Sequence, residues 1–374
     1  MELQSARDLK QELLTNLVVP FSRAAHPGAA VRPRGIPALA RELAAGTRLA
    51  VSAAPPGVAL GLPRSVALGI TRRGKDYRLA VRVQRQALMR SPLVEHVVNQ
   101  ARGEADVRFI GRVEKRSETR LPPSGAAPEV HVFNVLGSAS ATWHQQNARP
   151  LLIGASVGHV AITAGTIGAF VRHKGRTCIL SNNHVLANED NGVLGDPILQ
   201  RASHDGGRDP EDRVAALTKW IRLKDGVNFV DAALAATEEL VSHEPSLLRG
   251  IVDDSNRRLT GLAPEFVDEG EIVHKLGRTT GATRGRVTAI DMDNVVVTFD
   301  RGNLRFDGQV EVEGADAVAF SDGGDSGSLI VNSSMEAVAL LFAGSDAGGS
   351  NGLGLTYANP IHRVLGDLRA ELLV

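Results

Sequence analysis

Three short segments hold residues that could do nucleophilic chemistry together. Ser326 lies in Gly324-Asp325-Ser326-Gly327-Ser328, His184 in Leu180-Ser181-Asn182-Asn183-His184-Val185-Leu186, and Asp231 in Asn228-Phe229-Val230-Asp231-Ala232-Ala233. A serine hydroxyl attacks a carbonyl carbon effectively only when a base takes its proton. An imidazole can do so near neutral pH, and a carboxylate behind it fixes the tautomer and stabilises the imidazolium that forms. Gly324 has no Cβ, so its N–H can turn toward a developing oxyanion. Together with the N–H of Ser326 it makes the expected oxyanion hole. Asp325, between these two donors, is expected to anchor the loop. A lone Gly-Asp-Ser-Gly is a weak signal, whereas His, Asp and Ser in this order and spacing are a strong one. The bland alternatives are a turn serine at 326 and a core histidine at 184. Asp225, in a Lys-Asp-Gly turn, is the weaker candidate for the carboxylate.

At these residues the chain resembles the chymotrypsin-like (trypsin-like) serine peptidases. Lys275-Leu276-Gly277-Arg278-Thr279-Thr280-Gly281, followed by Gly285-Arg286-Val287, looks like the Gly-Arg-Thr-Thr-Gly segment of the bacterial α-lytic and streptogrisin branch. Closer still, through Ser181-Asn182-Asn183-His184-Val185-Leu186-Ala187, Gly195-Asp196-Pro197-Ile198-Leu199-Gln200 and Gly324-Asp325-Ser326-Gly327-Ser328-Leu329, is a cysteine-poor group of intracellular bacterial trypsin-like proteins and plant narrow-leaf-type proteases. The resemblance runs from about Gly154 to Leu373 and departs at Ser328, where most relatives carry glycine. It implies a serine endopeptidase with a protein or peptide substrate and no cofactor. It also implies two six-stranded antiparallel β-barrels with the site at their junction and a helix closing the chain. Alignment on the serine motif puts Phe320 at the floor of a specificity pocket and Phe342, Ala343 and Gly344 on its wall. No acid stands at that floor, so a small or apolar side chain is expected before the scissile bond. The plant resemblance implies a homo-oligomer.

Composition narrows the setting. Aromatic residues make up 4% of the 374, so a core must rest on Val, Leu, Ile and Ala. Cys178 is the single cysteine and is expected as a small buried apolar residue. With no intrachain disulfide available, no apolar signal core in Met1–Asp8, and no apolar run of about 18 residues, a cytoplasmic protein without a membrane span is expected. Net charge is zero but uneven: residues 1–150 carry 22 Lys and Arg against 11 Asp and Glu, and the remainder 20 against 31. Docking of the halves on each other, or on other copies of the chain, accounts for this better than a nucleotide or nucleic-acid partner. The latter is unlikely, because no Walker or RNA-binding motif accompanies the charge. The acidic loops around Glu189–Asp196 and Asp205–Asp212 lack EF-hand spacing, and His159, His173 and His274 lack a zinc pattern, so no metal is expected.

The pattern along the chain divides it into a small basic α/β domain (1–116), a linker (117–150) and a mainly β domain (151–374). In the first, residues 1–17 read as a helix, Pro20–Pro33 as irregular and Ile36–Ala45 as a short helix. Val66–Ile70 and Tyr77–Val83 read as strands, Pro92–Ala101 as a helix capped by Ser91, and Val107–Val113 as a further strand. Beyond the linker, Thr166–Val171 and Thr177–Ser181 predict a hairpin that delivers His184, and Val227–Ala235 a strand carrying Asp231. Val287–Ile290 and Val295–Phe299 predict a second hairpin, Ser328–Val331 and Ala337–Phe342 the strands after the nucleophile, and Ile361–Leu373 a final helix. Residues 1–150 could restrain, target or oligomerise the peptidase, or be a pro-segment removed near Gly154. Outside the enzyme class, the rival is a binding or scaffold module with an unused triad, in which the N-terminal domain engages a partner or a nucleotide.

Overall fold

The computed structural model describes residues 1–18, 66–116, 142–265, 268–315 and 317–374. The expected short helix at Ile36–Ala45 and the Pro-rich segment before it lie outside these residues, as does most of the linker. The described residues are mainly β, in two large sheets. In the first, a strand at Ala169–His173 turns through Lys174 and Gly175 (φ 49° and 77°) into Arg176–Ser181. This is the backbone a tight hairpin needs. Ala233–Thr237, Arg213–Trp220, Pro197–Leu199, Ser156–His159 and Gly165–Thr166 continue the sheet, which stays open as a half-barrel.

The second sheet closes. Ile272–Gly277 pairs with Gly281–Asp293, which pairs with Gln309–Gly314, then Thr356–Pro360, Glu336–Gly344 and Leu329–Asn332, which returns to Ile272–Gly277. Every contact in this ring of six is antiparallel. The barrel-built architecture with a C-terminal helix is therefore the one the sequence implies, except that only one of the two sheets is closed. The helix spans Ile361–Leu368 and buries Ile361, Val364, Leu365 and Leu368. Each such side chain removed from water contributes about 1.5–3 kcal/mol. The helix stops five residues short of its expected end because Arg369 takes a left-handed conformation (φ 50°), and Glu371–Leu372 then joins the first sheet beside Ala169–His173.

Three further expectations are corrected. Val295–Phe299 forms its hairpin with Gly302–Phe306 and not with Val287–Ile290, which belongs to the long barrel strand. The strand expected at Val107–Val113 ends at Phe109, two residues before the positive φ of Gly111 (67°). Val227–Ala235 is not one strand, because Asp231 lies between the separate strands Val227–Asn228 and Ala233–Thr237.

The N-terminal strands Val66–Arg73, Asp76–Val83 and Ala105–Phe109 extend the second sheet, the first of them pairing with Gly281–Asp293. The Pro92–Gln100 helix begins as its sequence indicates, with Pro92 in its first turn and Ser91 Oγ accepting from Val94 N (3.4 Å). Its Leu93, Val94 and Val97 pack with Leu68, Leu79 and Val81 of the strands. The uneven charge is used here. Arg7 meets Asp291 and Lys10 meets Asp293, each at 2.8 Å. Arg82, fully buried, meets the fully buried Glu311 at 2.8 Å. Glu311 also accepts from Thr288 Oγ1 (2.8 Å) and Tyr357 Oη (2.9 Å). Burial opposes the charge on Arg82, but Glu311 outweighs it and holds the guanidinium pKa above its ordinary value. A buried pair broken on one side leaves an uncompensated charge. Arg82→Ala is therefore expected to lower unfolding stability by about 3–5 kcal/mol in urea titrations, whereas Arg7→Ala, in a half-exposed pair, is expected to cost less than about 1 kcal/mol.

Candidate active site

His184 sits on the helical turn Asn183–Leu186 that follows the Arg176–Ser181 strand. The two asparagines before it fix this turn. Asn182 Nδ2 donates to the Asp231 carbonyl (2.7 Å), and Asn183 Nδ2 donates to Asp190 Oδ1 (2.7 Å) and to the Ile221 carbonyl (2.8 Å). His184 Nδ1 lies 2.5 Å from Asp231 Oδ2, and the His184 backbone N–H donates to Asp231 Oδ1 at 3.3 Å. Asp231 is held in turn by Asn359 Oδ1, which accepts its N–H at 2.9 Å, while Asn359 Nδ2 donates to Gln309 Oε1 (2.6 Å). Asn359 comes from the second barrel, just before the C-terminal helix. No sequence pattern singles it out. Both partners of the His184–Asp231 pair are wholly buried.

The Gly324–Ser328 loop is organised by Asp325. Its buried carboxylate accepts from the N–H groups of Thr279 (2.9 Å), Thr280 (3.2 Å) and Asp322 (3.0 Å) and from Thr280 Oγ1 (2.7 Å), and faces Lys275 Nζ at 3.2 Å. Burial alone would raise the Asp325 pKa, but Lys275 and these donors outweigh it and hold the carboxyl below its ordinary value. The Lys275–Gly281 motif is thus a cradle for one carboxylate. Gly277 belongs to it because a Cβ there would lie 2.6 Å from Asp325 Cγ. Arg278 ties the cradle to the first sheet, donating through Nε to Asp205 Oδ2 (2.9 Å), while its N–H donates to Thr166 Oγ1 (3.0 Å).

The loop held this way turns two N–H groups toward one point. Gly324 N (φ 95°) and Ser326 N donate to the same oxygen, the Arg116 carbonyl, at 2.6 and 3.1 Å. Ser326 Oγ is fully buried and donates to the Phe342 carbonyl at 3.3 Å. His184 Nε2 is buried and has no hydrogen-bond partner among the described residues. The Phe299 ring edge packs on the imidazole with centroids 5.8 Å apart. Of the residues assigned to a specificity pocket, three gather around Arg116. Phe342 O accepts the Arg116 N–H (3.0 Å), Ala343 pairs with Lys115, and a Cβ on Gly344 would fall 2.5 Å from Arg116 Nε. Phe320, expected at the pocket floor, lies in the core of the second barrel with Val287, Val312 and Ala358. The Arg116 guanidinium meets Asp346 and the Ser345 carbonyl instead. Asp346 stands two residues beyond Gly344.

Comparison adds modestly to this. No protein-family model and no curated protein matches the chain. Among solved structures it is similar to Thermobifida fusca Protease A, at 17% identity and a TM-score of 0.42 over 60% of this chain and 98% of that one. It is also similar to a Nocardiopsis protease (16%, 0.44, 60% and 98%) and to alpha-lytic protease homolog N4 (20%, 0.42, 60% and 100%). At such values the functional argument rests on the chain's own residues.

The Asp325 cradle sets an acid limit. A carboxyl whose folded pKa is depressed adds stability that is fully present above its unfolded value, near 3.9, and is lost as pH falls through the folded value. Asp325→Asn is expected to bring that loss to neutral pH by leaving Lys275 buried without an anion, at a cost of about 3–5 kcal/mol in urea unfolding. The double variant Lys275→Met/Asp325→Asn is expected to recover part of it.

Proposed function

We propose that the protein is a serine endopeptidase, with Ser326 as nucleophile, His184 as general base and then acid, and Asp231 as its orienter. The observation that carries this reading is the convergence of Gly324 N–H and Ser326 N–H on a single carbonyl oxygen, together with a buried His184–Asp231 pair whose Nε2 is left without a partner among the described residues. Two preorganised donors on one carbonyl oxygen, in a site closed to water, stabilise the charge that develops as the carbonyl becomes tetrahedral. The Ser326 hydroxyl is a rotor. Turned from Phe342 O toward His184 Nε2, it would give its proton to the imidazole while Oγ attacks the carbonyl carbon. His184 would then protonate the leaving amine, and water would hydrolyse the acyl-enzyme by the same path in reverse. Asp231, receiving His184 Nδ1–H, keeps Nε2 free to act as the base.

The test is labelling with a fluorophosphonate, which phosphonylates an activated serine. The wild-type chain is expected to carry one label, on Ser326, and Ser326→Ala none. His184→Ala and Asp231→Asn are expected to react more slowly, the latter by on the order of 10⁴-fold. No label on the wild type would favour the rival reading of a latent site in an oligomeric binding or scaffold module.

A further inference from the structure

The residue whose carbonyl fills the two-donor site belongs to this chain. Residues 113–116 run through the cleft as an extended strand. Val113 O accepts from Thr298 N (2.9 Å) on one side. On the other, Glu114 and Lys115 pair antiparallel with Gly344 and Ala343. Adding a strand to a sheet edge, with alternate side chains seated in pockets, is how extended peptides are commonly bound. The side chains are accommodated as well as the backbone. Lys115 Nζ lies 2.5 Å from Glu189 and 2.8 Å from Asp300. Arg116 is 6% exposed, its guanidinium held by Asp346 and the Ser345 carbonyl in the space left by the missing Cβ of Gly344. The backbone register points to a reaction. The Arg116 N–H and the Ser326 hydroxyl donate to the same Phe342 carbonyl, at 3.0 and 3.3 Å. The hydroxyl therefore lies beside the Arg116 backbone, whose carbonyl oxygen is already in the site of the two amides.

We infer that the protein cuts its own chain after Arg116, and that arginine following a basic residue is the sequence its cleft selects. This inference rests on the peptidase reading given above. Ser326 Oγ bonds to the Arg116 carbonyl carbon, and the bond from that carbon to the nitrogen of the next residue, Ser117, breaks. The Ser326 proton passes through His184 Nε2 to that nitrogen, which leaves as the new amino terminus of the C-terminal piece. Water then adds to the acyl carbon, restores Ser326 and leaves Arg116 as a carboxylate. The two pieces stay together after the cut, because the Val66–Arg73 strand pairs with the barrel and Arg82 is buried against Glu311 on the other piece. The Arg116 terminus then still competes for the cleft, so cleavage of other substrates requires it to withdraw.

The experiment is the intact mass of the purified full-length chain under denaturing conditions, with amino-terminal sequencing of the products. The expected result is two polypeptides, 1–116 and 117–374, which elute as one species from a native sizing column. Ser326→Ala should remain a single chain. Arg116→Ala should be cut at least about 100-fold more slowly, since a polar site rejects an analogue lacking its partner. Arg116→Lys should retain part of the rate, and circular dichroism should confirm that all variants are folded. A wild-type chain that stays whole, a cut elsewhere such as near Gly154, or equal cutting in Ser326→Ala would overturn the proposal. Fluorophosphonate labelling separates the two readings. A label on Ser326 in an uncut wild-type chain preserves the peptidase and overturns self-cleavage, whereas a label on uncut Arg116→Ala is the expected result. Neither label nor cut overturns both.

Discussion

The geometry of the site depends on the burial of one carboxylate. Asp325 lies between the residues whose amides form the two-donor site, and the loop conformation follows from where its side chain is held. Four hydrogen bonds and Lys275 surround it. A buried ion is stabilised only when its lone pairs are so occupied. The Lys275–Gly281 segment therefore does its work at one remove. Its Thr279 hydroxyl donates to the Gly323 carbonyl (2.6 Å) and its amides to Asp325, and so it fixes the loop from which Gly324 and Ser326 reach the Arg116 carbonyl. Arg278 extends the constraint to the half-barrel through Asp205, so the sheet that carries His184 and the barrel that carries Ser326 are joined by the same short segment.

The uneven charge of the chain has a structural meaning on this account. The basic N-terminal part docks on the acidic C-terminal part through Lys10 with Asp293, Arg82 with Glu311, Lys115 with Glu189 and Arg116 with Asp346. The first two pairs hold the N-terminal helix Leu3–Leu13 and the N-terminal strands on the barrel. The last two lie in the cleft. Ion pairs between the two parts thus occur both at the N-terminal strands and beside the two-donor site.

The His184–Asp231 contact and the Asp325 loop arise from segments that were legible in the sequence. His184, Asp231 and Ser326 each sit in a short segment whose neighbours have their own tasks, and Asn182, Asn183 and Asp325 proved to be the residues that fix the turns. Hairpins with a strong turn signal, such as Lys174-Gly175, were legible for the same reason. What escaped was non-local. Asn359 supports Asp231 across the junction of the sheets, and Val287–Ile290 was needed by the long barrel strand, so Val295–Phe299 pairs instead with Gly302–Phe306 across a two-residue turn. Phe320, placed at a pocket floor by its distance from Ser326, packs with Val287, Val312 and Ala358, and the acid that meets Arg116 is Asp346, on the loop after Glu336–Gly344. Arg116 itself fell at the end of a segment read only as a domain edge. Nothing in its sequence neighbourhood indicates a return to the cleft.

The central claim is that the amides of Gly324 and Ser326 are aimed at, and occupied by, the carbonyl of Arg116. Amide hydrogen exchange in the intact Ser326→Ala chain, followed residue by residue, measures this directly, because a serine side chain is not needed for the backbone donors. The account predicts that the amides at positions 324, 326 and 116 exchange as slowly as those of the barrel strands, and that Arg116→Gly introduced into the same chain speeds exchange at 324 and 326 while Leu341 stays protected. Rapid exchange at 324 and 326 in a chain whose strands remain protected would contradict it.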